Sequence, residues 1–292
     1  MYNSCIFDKE GTVMEIISNL ITDEERALYG SRDLEARSCR FNGPADGESA
    51  FKESNNIVAA DCYFNLRYPF WHNHGLKIKD SEMTPLCRAA LWYTDNAVIE
   101  NTKLHGIKAV RECGKIKLNN CDIESPEFGW FVNDISMTNC AVVSEYFLMR
   151  STDIVLKDVR LKGKYSFQYT ERGEIKDCIF DTKDAFWHAK NITIKDCTIN
   201  GEYIGWYSEN LTFVNCTIRG TQPFCYCKGL KLIDCRMEDA DLAFEKSEAE
   251  GVILSDLISI KNFYSGKLSV NSVGEIIKSD PDAKGVIEIL NS

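Results

Sequence analysis

The stretch that decides the fold spans residues 175–199 and reads IKDCIFDTKDAFWHAKNITIKDCTI. The segment IKDC that opens it returns 19 residues later, so that Asp177 and Cys178 recur as Asp196 and Cys197. A fixed period of about twenty residues indicates a stacked repeat, in which similar units follow one another along the chain. The repeat is thus the unit of this fold.

The same spacing extends over most of the chain. An acidic or amide residue recurs at steps of 19, with one step of 21, at Asp61, Asp80, Asn101, Asn120, Asn139, Asp158, Asp177, Asp196, Asn215 and Asp234. The position that follows it is most often Cys, beginning with Cys39 and Cys62. Asp and Asn tolerate the left-handed backbone conformation that a sharp corner requires. This column, which we call the Asp/Asn column, predicts one corner in each repeat.

Apolar and polar residues alternate on both sides of that corner. Ile192 and Ile194 flank Thr193 before it, and Cys197 and Ile199 follow it two residues apart. Alternation with a period of two is typical of a strand with one buried face. A third apolar column lies eight residues after the Cys position and includes Phe70, Leu91, Val110, Phe167, Phe186 and Phe224. We therefore expect three short strands in each repeat.

Three short strands that stack on equivalent strands of the next repeat describe one coil of a parallel β-helix. The sequence shows no six-residue beat of the left-handed form, so the right-handed form is favoured. We predict an all-β, single-stranded right-handed parallel β-helix of about twelve coils. A single domain is expected over residues 1–292, with an N-terminal cap at 1–20, coils at 21–250 and a C-terminal cap at 251–292.

Composition restricts the function. A net charge of −10 argues against nucleic acid as a partner. The sequence shows neither a secretory signal nor an apolar run that could cross a membrane, so no membrane partner is expected. Most of the 13 cysteines fall in a column expected to be buried. We expect them to be reduced small hydrophobes in a cytoplasmic protein. No spacing predicts a metal site or a cofactor.

The position after the third apolar column contains all five tryptophans. Because the preceding residue points inward, parity points this one outward, and the residue after it extends the same surface. We call these two columns the stripe. Its predicted ligand-binding residues are Trp71, His72, Trp92, Tyr93, Trp130, Arg150, Tyr169, Trp187, His188, Trp206 and Tyr207.

The stripe also supplies candidates for catalysis, which are Lys52, Glu53, His72, Arg111, Glu112 and Arg150. Glycoside hydrolysis needs two carboxyl groups about 5–10 Å apart. Glu53 and Glu112 are three coils apart, or about 14 Å at the usual strand spacing, which is too far. The sequence singles out no catalytic set. If the protein is an enzyme, a carbohydrate-active lyase or hydrolase is expected.

Three interpretations of the stripe remain open. In the first interpretation, the stripe binds a carbohydrate-type ligand and possesses the means to modify it. Aromatic rings stack on sugars, and charged groups bond sugar hydroxyls. Alternatively it is a non-catalytic surface for protein–protein contact or self-assembly, since Trp, Tyr and Arg dominate interface hot spots. In the third interpretation, the chain's own segments cover the stripe and stabilise the fold.

Over nearly its whole length the repeat resembles the pectin lyase-like right-handed β-helix superfamily. The segments ERALY at 25–29, DGES at 46–49 and RYPFWH at 67–72 further resemble a bacterial family of stand-alone β-helix proteins, a domain of unknown function. The superfamily resemblance implies the fold, and it implies polysaccharide lyase or hydrolase activity among secreted relatives. This chain lacks their calcium-binding and paired catalytic aspartates, so no catalytic residue is transferred.

Overall fold

The computed structural model describes residues 4–7, 13–43 and 47–290. They belong to two compact units, Met1–Ser144 and Glu145–Ser292, which we call unit 1 and unit 2. The described residues form strands and turns and contain no helix, hence none that could cross a membrane. The fold is the predicted parallel β-helix, with about fourteen turns against the twelve expected. Crossovers between neighbouring parallel strands take the right-handed sense.

Unit 1 contains two main sheets, one on each side of the Asp/Asn column. β1 (Ser4–Phe7) pairs antiparallel with β2 (Val13–Ser18). The other strands described in this unit pair in parallel. The remaining strands are β2 (Val13–Ser18), β3 (Ile21–Thr22), β4 (Arg32–Arg37), β5 (Arg40–Phe41), β6 (Asn55–Ala60), β7 (Tyr63–Phe64), β8 (His74–Lys79), β9 (Glu82–Met83), β10 (Leu91–Trp92), β11 (Asp95–Glu100), β12 (Lys103–His105), β13 (Val110–Arg111), β14 (Gly114–Asn119), β15 (Asp122–Glu124), β16 (Asn133–Thr138) and β17 (Ala141–Tyr146), whose last two residues belong to unit 2.

Unit 2 has the same arrangement and ends in longer strands. Its strands are β18 (Thr152–Lys157), β19 (Arg160–Lys164), β20 (Glu171–Lys176), β21 (Ile179–Lys183), β22 (Lys190–Lys195), β23 (Thr198–Asn200), β24 (Thr212–Val214), β25 (Thr217–Arg219), β26 (Leu230–Glu238), β27 (Glu248–Lys261), β28 (Ser265–Ile277) and β29 (Val286–Ile289). Parallel pairing thus also occurs inside the segments predicted as caps, at β2 and from β27 to β29. Residues 1–3, 8–12 and 291–292 of those segments lie outside the described residues.

The apolar columns stack in register, which places the core inside the coils. In unit 1, Leu76 pairs with Ile57 on one side and Ala97 on the other, and all three are buried. In unit 2 the rings of Phe167 and Phe186 stack with centroids 4.6 Å apart. A single coil cannot bury both sides of its own apolar residues, so each coil depends on its neighbours.

The Asp/Asn column forms a left-handed corner, as predicted. All ten residues have positive φ, between 49° and 55°. Their side chains also bond one another along the stack: the Asn120 amide donates to Asn101 Oδ1 at 2.8 Å, and the Asn139 amide donates to Asn120 Oδ1 at 3.1 Å. Carboxamides carry both a donor and an acceptor, so they can extend such a ladder in both directions.

The Cys column after this corner has a role beyond packing. The backbone N–H of Cys62 donates to Ser81 Oγ of the next coil at 3.0 Å, and the N–H of Cys178 donates to Cys197 Sγ at 3.3 Å. The Cys62 thiol in turn donates to Ala60 O at 3.3 Å. A short side chain that both donates and accepts therefore satisfies the backbone at the corner, which explains why Cys, Ser and Thr alternate here.

The third predicted strand is mostly replaced by tight turns. Leu91–Trp92 and Val110–Arg111 form a two-stranded ladder, but Phe70 lies between Tyr68 and His72, whose φ angles are 54° and 57°. Two left-handed residues so close together interrupt an extended strand. We did not predict these turns, because Tyr and His are not typical turn residues.

We predict that Asn120→Ala lowers the free energy of unfolding by about 2 kcal/mol, because Ala is costly at φ 53° and cannot join the amide ladder. Asn120→Gly keeps the backbone conformation and loses only the ladder, so its loss should be about 1 kcal/mol. Urea denaturation measures both. Equal stability of the two variants would show that left-handed strain does not matter at this corner.

Candidate functional site

The stripe is built on a second left-handed corner. Glu53, His72, Tyr93 and Glu112 all have positive φ, between 50° and 58°. The sequence signal for this corner is the residue after it, which is again small and polar at Ser54, Asn73, Thr94 and Cys113, as after the Asp/Asn column. Bulky and charged residues in the left-handed region are uncommon, and such exceptions concentrate at functional sites.

The stripe points outward. All five tryptophans are partly exposed, whereas Phe70, Leu91 and Val110, which precede members of the stripe, are fully buried. The side-chain direction inferred from parity is therefore confirmed for the tryptophans, whereas Cys225 and Phe244, at the same position in later coils, are buried. Ligand binding by these residues stays a prediction.

In unit 1 the rings and cations of the stripe form one stack. Lys52 Nζ lies 4.3 Å from the centre of the Trp71 ring. Trp71 and Trp92 stack with centroids 5.7 Å apart and planes inclined by 15°. The Arg111 guanidinium lies 5.8 Å from the Trp92 ring and 5.5 Å from the Trp130 ring. Trp71 is thus held between a cation and an indole, and Trp92 between an indole and a cation.

Charged residues at the first end of this stack neutralise one another. The Tyr29 hydroxyl donates to Glu53 Oε2, and Lys52 Nζ lies 3.8 Å from Glu53 Oε1. The hydrogen bond from Tyr29, together with the charges of Lys52 and His72, lowers the pKa of Glu53. The same hydrogen bond raises the pKa of Tyr29. Glu53 is therefore a stable carboxylate and is not suited to act as a general acid.

The other end of the stack has the same arrangement. Arg111 Nε donates to Glu112 Oε1 at 3.0 Å. Partial burial raises the pKa of Glu112, but hydrogen bonds from Tyr93 and Arg111 outweigh it and leave the pKa lowered. The hydrogen bond to Glu112 raises the pKa of Tyr93. Glu112 is a second stable carboxylate, so the two glutamates do not form an acid and base pair.

His72 belongs to the aromatic contacts of this site. Its ring centre lies 4.9 Å from that of Tyr93 and 5.8 Å from that of Trp71. Of the six catalytic candidates, the structure brings Lys52, Glu53 and His72 together at one end of the stack and Arg111 and Glu112 at the other. Arg150 belongs to unit 2.

In unit 2 the stripe contains a longer ring stack. The Arg150 guanidinium lies 4.6 Å from the Tyr169 ring. Tyr169, His188, Tyr207 and Tyr226 then follow with centroids 4.7–5.1 Å apart and planes within 10° of parallel. Neighbouring rings cover one another's faces, so only ring edges and hydroxyl groups of this stack face solvent.

The tryptophans of unit 2 are also fixed by hydrogen bonds. Trp187 and Trp206 stack with centroids 5.4 Å apart. Their indole N–H groups donate to the backbone oxygens of Tyr203 at 2.9 Å and Gln222 at 2.8 Å. Because these carbonyls belong to the neighbouring corner, the pair has a clear structural role.

The N–H groups of Trp71 and Trp92 in unit 1 do not bond backbone oxygens in this way. Among the described residues, the buried side-chain atoms without a hydrogen bond of normal geometry are Ser49 Oγ, Trp71 Nε1, Asn73 Oδ1 and Trp92 Nε1. All lie in neighbouring coils at one part of unit 1. Buried polar groups are nearly always paired, so a cluster of exceptions distinguishes a functional region from a purely structural one. This places the candidate site in unit 1.

A groove of about 550 Å³ lies along the Asp/Asn column of unit 1, away from the stripe residues. Its rim includes Arg40, Tyr63, Asp80, Glu82 and Lys103. The Arg40 guanidinium lies over the Tyr63 ring at 4.2 Å, and Lys103 Nζ lies 3.5 Å from Glu82 Oε2. The groove is polar and contains both signs of charge.

The chain belongs to a family described as "Protein of unknown function (DUF3737)", whose model matches residues 15–289. No curated protein matches the sequence. This agrees with the resemblance to a β-helix family of unknown function.

Several solved structures resemble the chain at low identity. HetL, a pentapeptide repeat protein involved in heterocyst differentiation regulation from the cyanobacterium Nostoc sp. strain PCC 7120, is 12% identical over 79% of this chain and 87% of its own, with a TM-score of 0.29. The catalytic unit of the GH87 α-1,3-glucanase from Streptomyces thermodiastaticus strain HF3-3 is 8% identical, over 94% of this chain and 62% of that chain, at a TM-score of 0.32. An exopolygalacturonase from Thermotoga maritima is 10% identical, over 98% of this chain and 75% of its own, with a TM-score of 0.25. The chain therefore spans less than two thirds of the glucanase unit.

We predict that Glu112→Gln lowers the pKa of Tyr93 towards its usual value, because the carboxylate that holds the phenol proton is removed. In the native protein the hydrogen bond is kept until the pH rises through the raised pKa. NMR titration of ring-labelled tyrosine measures this. Glu53→Gln is the matched control and should shift Tyr29 instead. A Tyr93 titration midpoint that is the same in Glu112→Gln and in the native protein would contradict the hydrogen bond between Tyr93 and Glu112.

Proposed function

We propose that this protein is a non-catalytic recognition scaffold that contacts a second copy of itself through the unit 1 stripe, Lys52–Glu53 to Arg111–Glu112. The observation that carries the proposal is the stack in which Lys52 and Arg111 enclose Trp71 and Trp92. Stacking of a sugar requires a free aromatic face, and the faces of these two indoles are occupied. A protein partner contacts ring edges, hydroxyl groups and guanidinium groups, which the stripe does offer.

The absence of a matched acid and base among the stripe candidates supports binding over catalysis. Glu53 and Glu112 both have lowered pKa values and both are neutralised by a neighbouring cation. Catalytic pairs need environments that push two pKa values apart. Here both carboxylates are pushed the same way, which suits fixed charges in a contact surface.

The charges of the stripe fit a two-fold dimer. Cations lie in one column, at Lys52 and Arg111, and carboxylates lie in the other, at Glu53 and Glu112. A two-fold axis parallel to the stack exchanges the columns and keeps the coil height, so that Lys52 faces the partner's Glu53. An axis across the stack would instead bring cations together. An isologous contact of this kind is self-complementary.

The size of the stripe limits the affinity. Three coil spacings give a length of about 14 Å, so the contact belongs among small, transient interfaces. The expected dimer is therefore in rapid exchange with the monomer and forms only at high protein concentration. Since charged groups set its register, its affinity should fall as salt rises.

We predict that Lys52→Glu abolishes this dimer, because it places a carboxylate opposite the partner's Glu53 at both symmetry-related contacts. Glu53→Lys should abolish it for the reverse reason, and an equimolar mixture of the two variants should dimerise again. Sedimentation velocity over a concentration series measures association, with Lys190→Glu and Glu209→Lys in unit 2 as charge-matched controls. Native protein that stays monomeric at millimolar concentration, or a mixture that fails to associate, removes the proposal.

A carbohydrate-type ligand is the second candidate, and the groove of unit 1 favours it. Arg40, Asp80, Glu82 and Lys103 present donors and acceptors around a concave volume of about 550 Å³. Hydroxyl-rich ligands are held by such sets of polar groups in concave sites. This candidate is independent of the stripe.

We predict that native protein retains a glycan on an array, and that Glu82→Gln combined with Lys103→Ala weakens that binding at least about tenfold, the loss expected for two polar contacts. Trp71→Ala, remote from the groove, is the matched control and should bind as the native protein does. A native protein that retains no glycan rejects this candidate and leaves the dimer proposal standing.

A further inference from the structure

Two thiols lie next to each other under the groove of unit 1. Cys39 and Cys62 occupy the same position in consecutive coils, between the in-register pairs Arg37–Ala60 and Arg40–Tyr63. Neighbouring parallel strands place equivalent Cα atoms about 4.8 Å apart. Disulfides span Cα separations of about 4.4–6.8 Å, so this pair is within reach of a bond without moving the strands.

The two thiols already interact. Cys39 Sγ lies 3.2 Å from Arg37 O, and Cys62 Sγ lies 3.3 Å from Ala60 O, so both point back along their own strands. The interaction with the neighbouring Cys62 thiol lowers the pKa of Cys39, and the same interaction together with burial raises the pKa of Cys62. The pair therefore loses one proton readily, and the thiolate that forms is at Cys39.

Forming a disulfide here would leave the two nearest carbonyl oxygens, Arg37 O and Ala60 O, with backbone partners. Arg37 O also accepts the N–H of Asn19 at 2.9 Å, and Ala60 O also accepts the N–H of Ser38 at 2.9 Å. Both oxygens stay bonded after the thiol protons are lost. The next residue in the column is Ser81, which has no sulfur, so the only disulfide that can form here is Cys39–Cys62.

Access separates this pair from the other cysteines of the column. Cys39 and Cys62 line the groove, and Arg40 stands beside them at its rim. The two cysteines are buried, at 0% and 3% residue exposure, so a small reagent is needed. Cys121 and Cys140 in unit 1 also neighbour one another, as do Cys178, Cys197, Cys216 and Cys235 in unit 2, but none of them lines this groove. They form an internal comparison with the same strand geometry.

We propose that Cys39 and Cys62 are a reversible redox-active dithiol, oxidised by peroxides that enter through the groove. The Cys39 thiolate attacks one oxygen of hydrogen peroxide, which gives a sulfenic acid and, after protonation, water. Cys62 loses its proton and attacks the Cys39 sulfur, which expels the hydroxyl group as a second water. Two thiols are thereby oxidised to one disulfide, and one peroxide is reduced to two waters. A dithiol reductant reverses the reaction.

The test treats the folded full chain with hydrogen peroxide, blocks free thiols after denaturation and identifies linked peptides by mass spectrometry without reduction. The expected result is a Cys39–Cys62 disulfide that appears about tenfold faster than any bond among the unit 2 cysteines and is reversed by dithiothreitol. Circular dichroism follows the fold during oxidation. Absence of this disulfide in folded protein, or earlier oxidation of the unit 2 cysteines, overturns the proposal.

The Cys62→Ser variant tests separately which cysteine reacts with peroxide and which one then forms the disulfide. Cys62→Ser should fold, because Ser81 occupies the equivalent position in the next coil and accepts the N–H of Cys62 itself. In this variant the sulfenic acid at Cys39 persists and is trapped by dimedone. Cys87→Ser is the matched control, since Cys87 is buried and has no cysteine neighbour in its column, and it should leave the Cys39–Cys62 disulfide unchanged. No dimedone adduct at Cys39 in Cys62→Ser would contradict the assigned roles.

Discussion

Every other feature of this protein depends on the left-handed corner. A coil of 19 residues closes without helix only if the backbone reverses direction at several single residues, and each such residue has φ near +50° to +60°. The corner also removes the following N–H from the regular ladder. A Cys, Ser or Thr of the next coil accepts it, as Ser81 does for Cys62. Each coil therefore completes the hydrogen bonds of its neighbour as well as its core, and no coil is stable alone.

The same constraint shapes the candidate site. In the stripe the corner positions are occupied by Glu53, His72, Tyr93 and Glu112, which adopt left-handed conformations less readily than Asn or Asp. Stacking at the coil spacing then brings successive side chains face to face, so the site is a column of covered rings and paired charges. That packing suits a contact surface better than a sugar platform. It also separates unit 1, where the N–H groups of Trp71 and Trp92 have no backbone partner, from unit 2, where both indoles bond backbone oxygens.

Much of the fold, and the direction of the side chains at the site, could be predicted from the sequence. The period of 19 predicted the β-helix, the Asp/Asn column predicted a corner, and parity predicted that Phe70 is buried while Trp71 is partly exposed. The second corner was missed because its residues have no turn signature, and the predicted third strand is correspondingly reduced. The sequence led us to interpret the cysteines as small hydrophobes. Their hydrogen bonds between coils cannot be recognised in one repeat, and become clear only because Ser81 and Thr102 accept the same bond at equivalent positions.

The sequence by itself determined which residues share a column, because the alternation of buried and exposed positions and the repeat length are both local properties of the chain. Only the tertiary structure decided what those columns do. Whether an indole face is free or covered, whether a phenol bonds a glutamate, and whether two thiols lie beside a groove depend on distances of a few ångströms between residues 21 to 24 positions apart. Such distances follow from the packing of neighbouring coils, and no single repeat contains them.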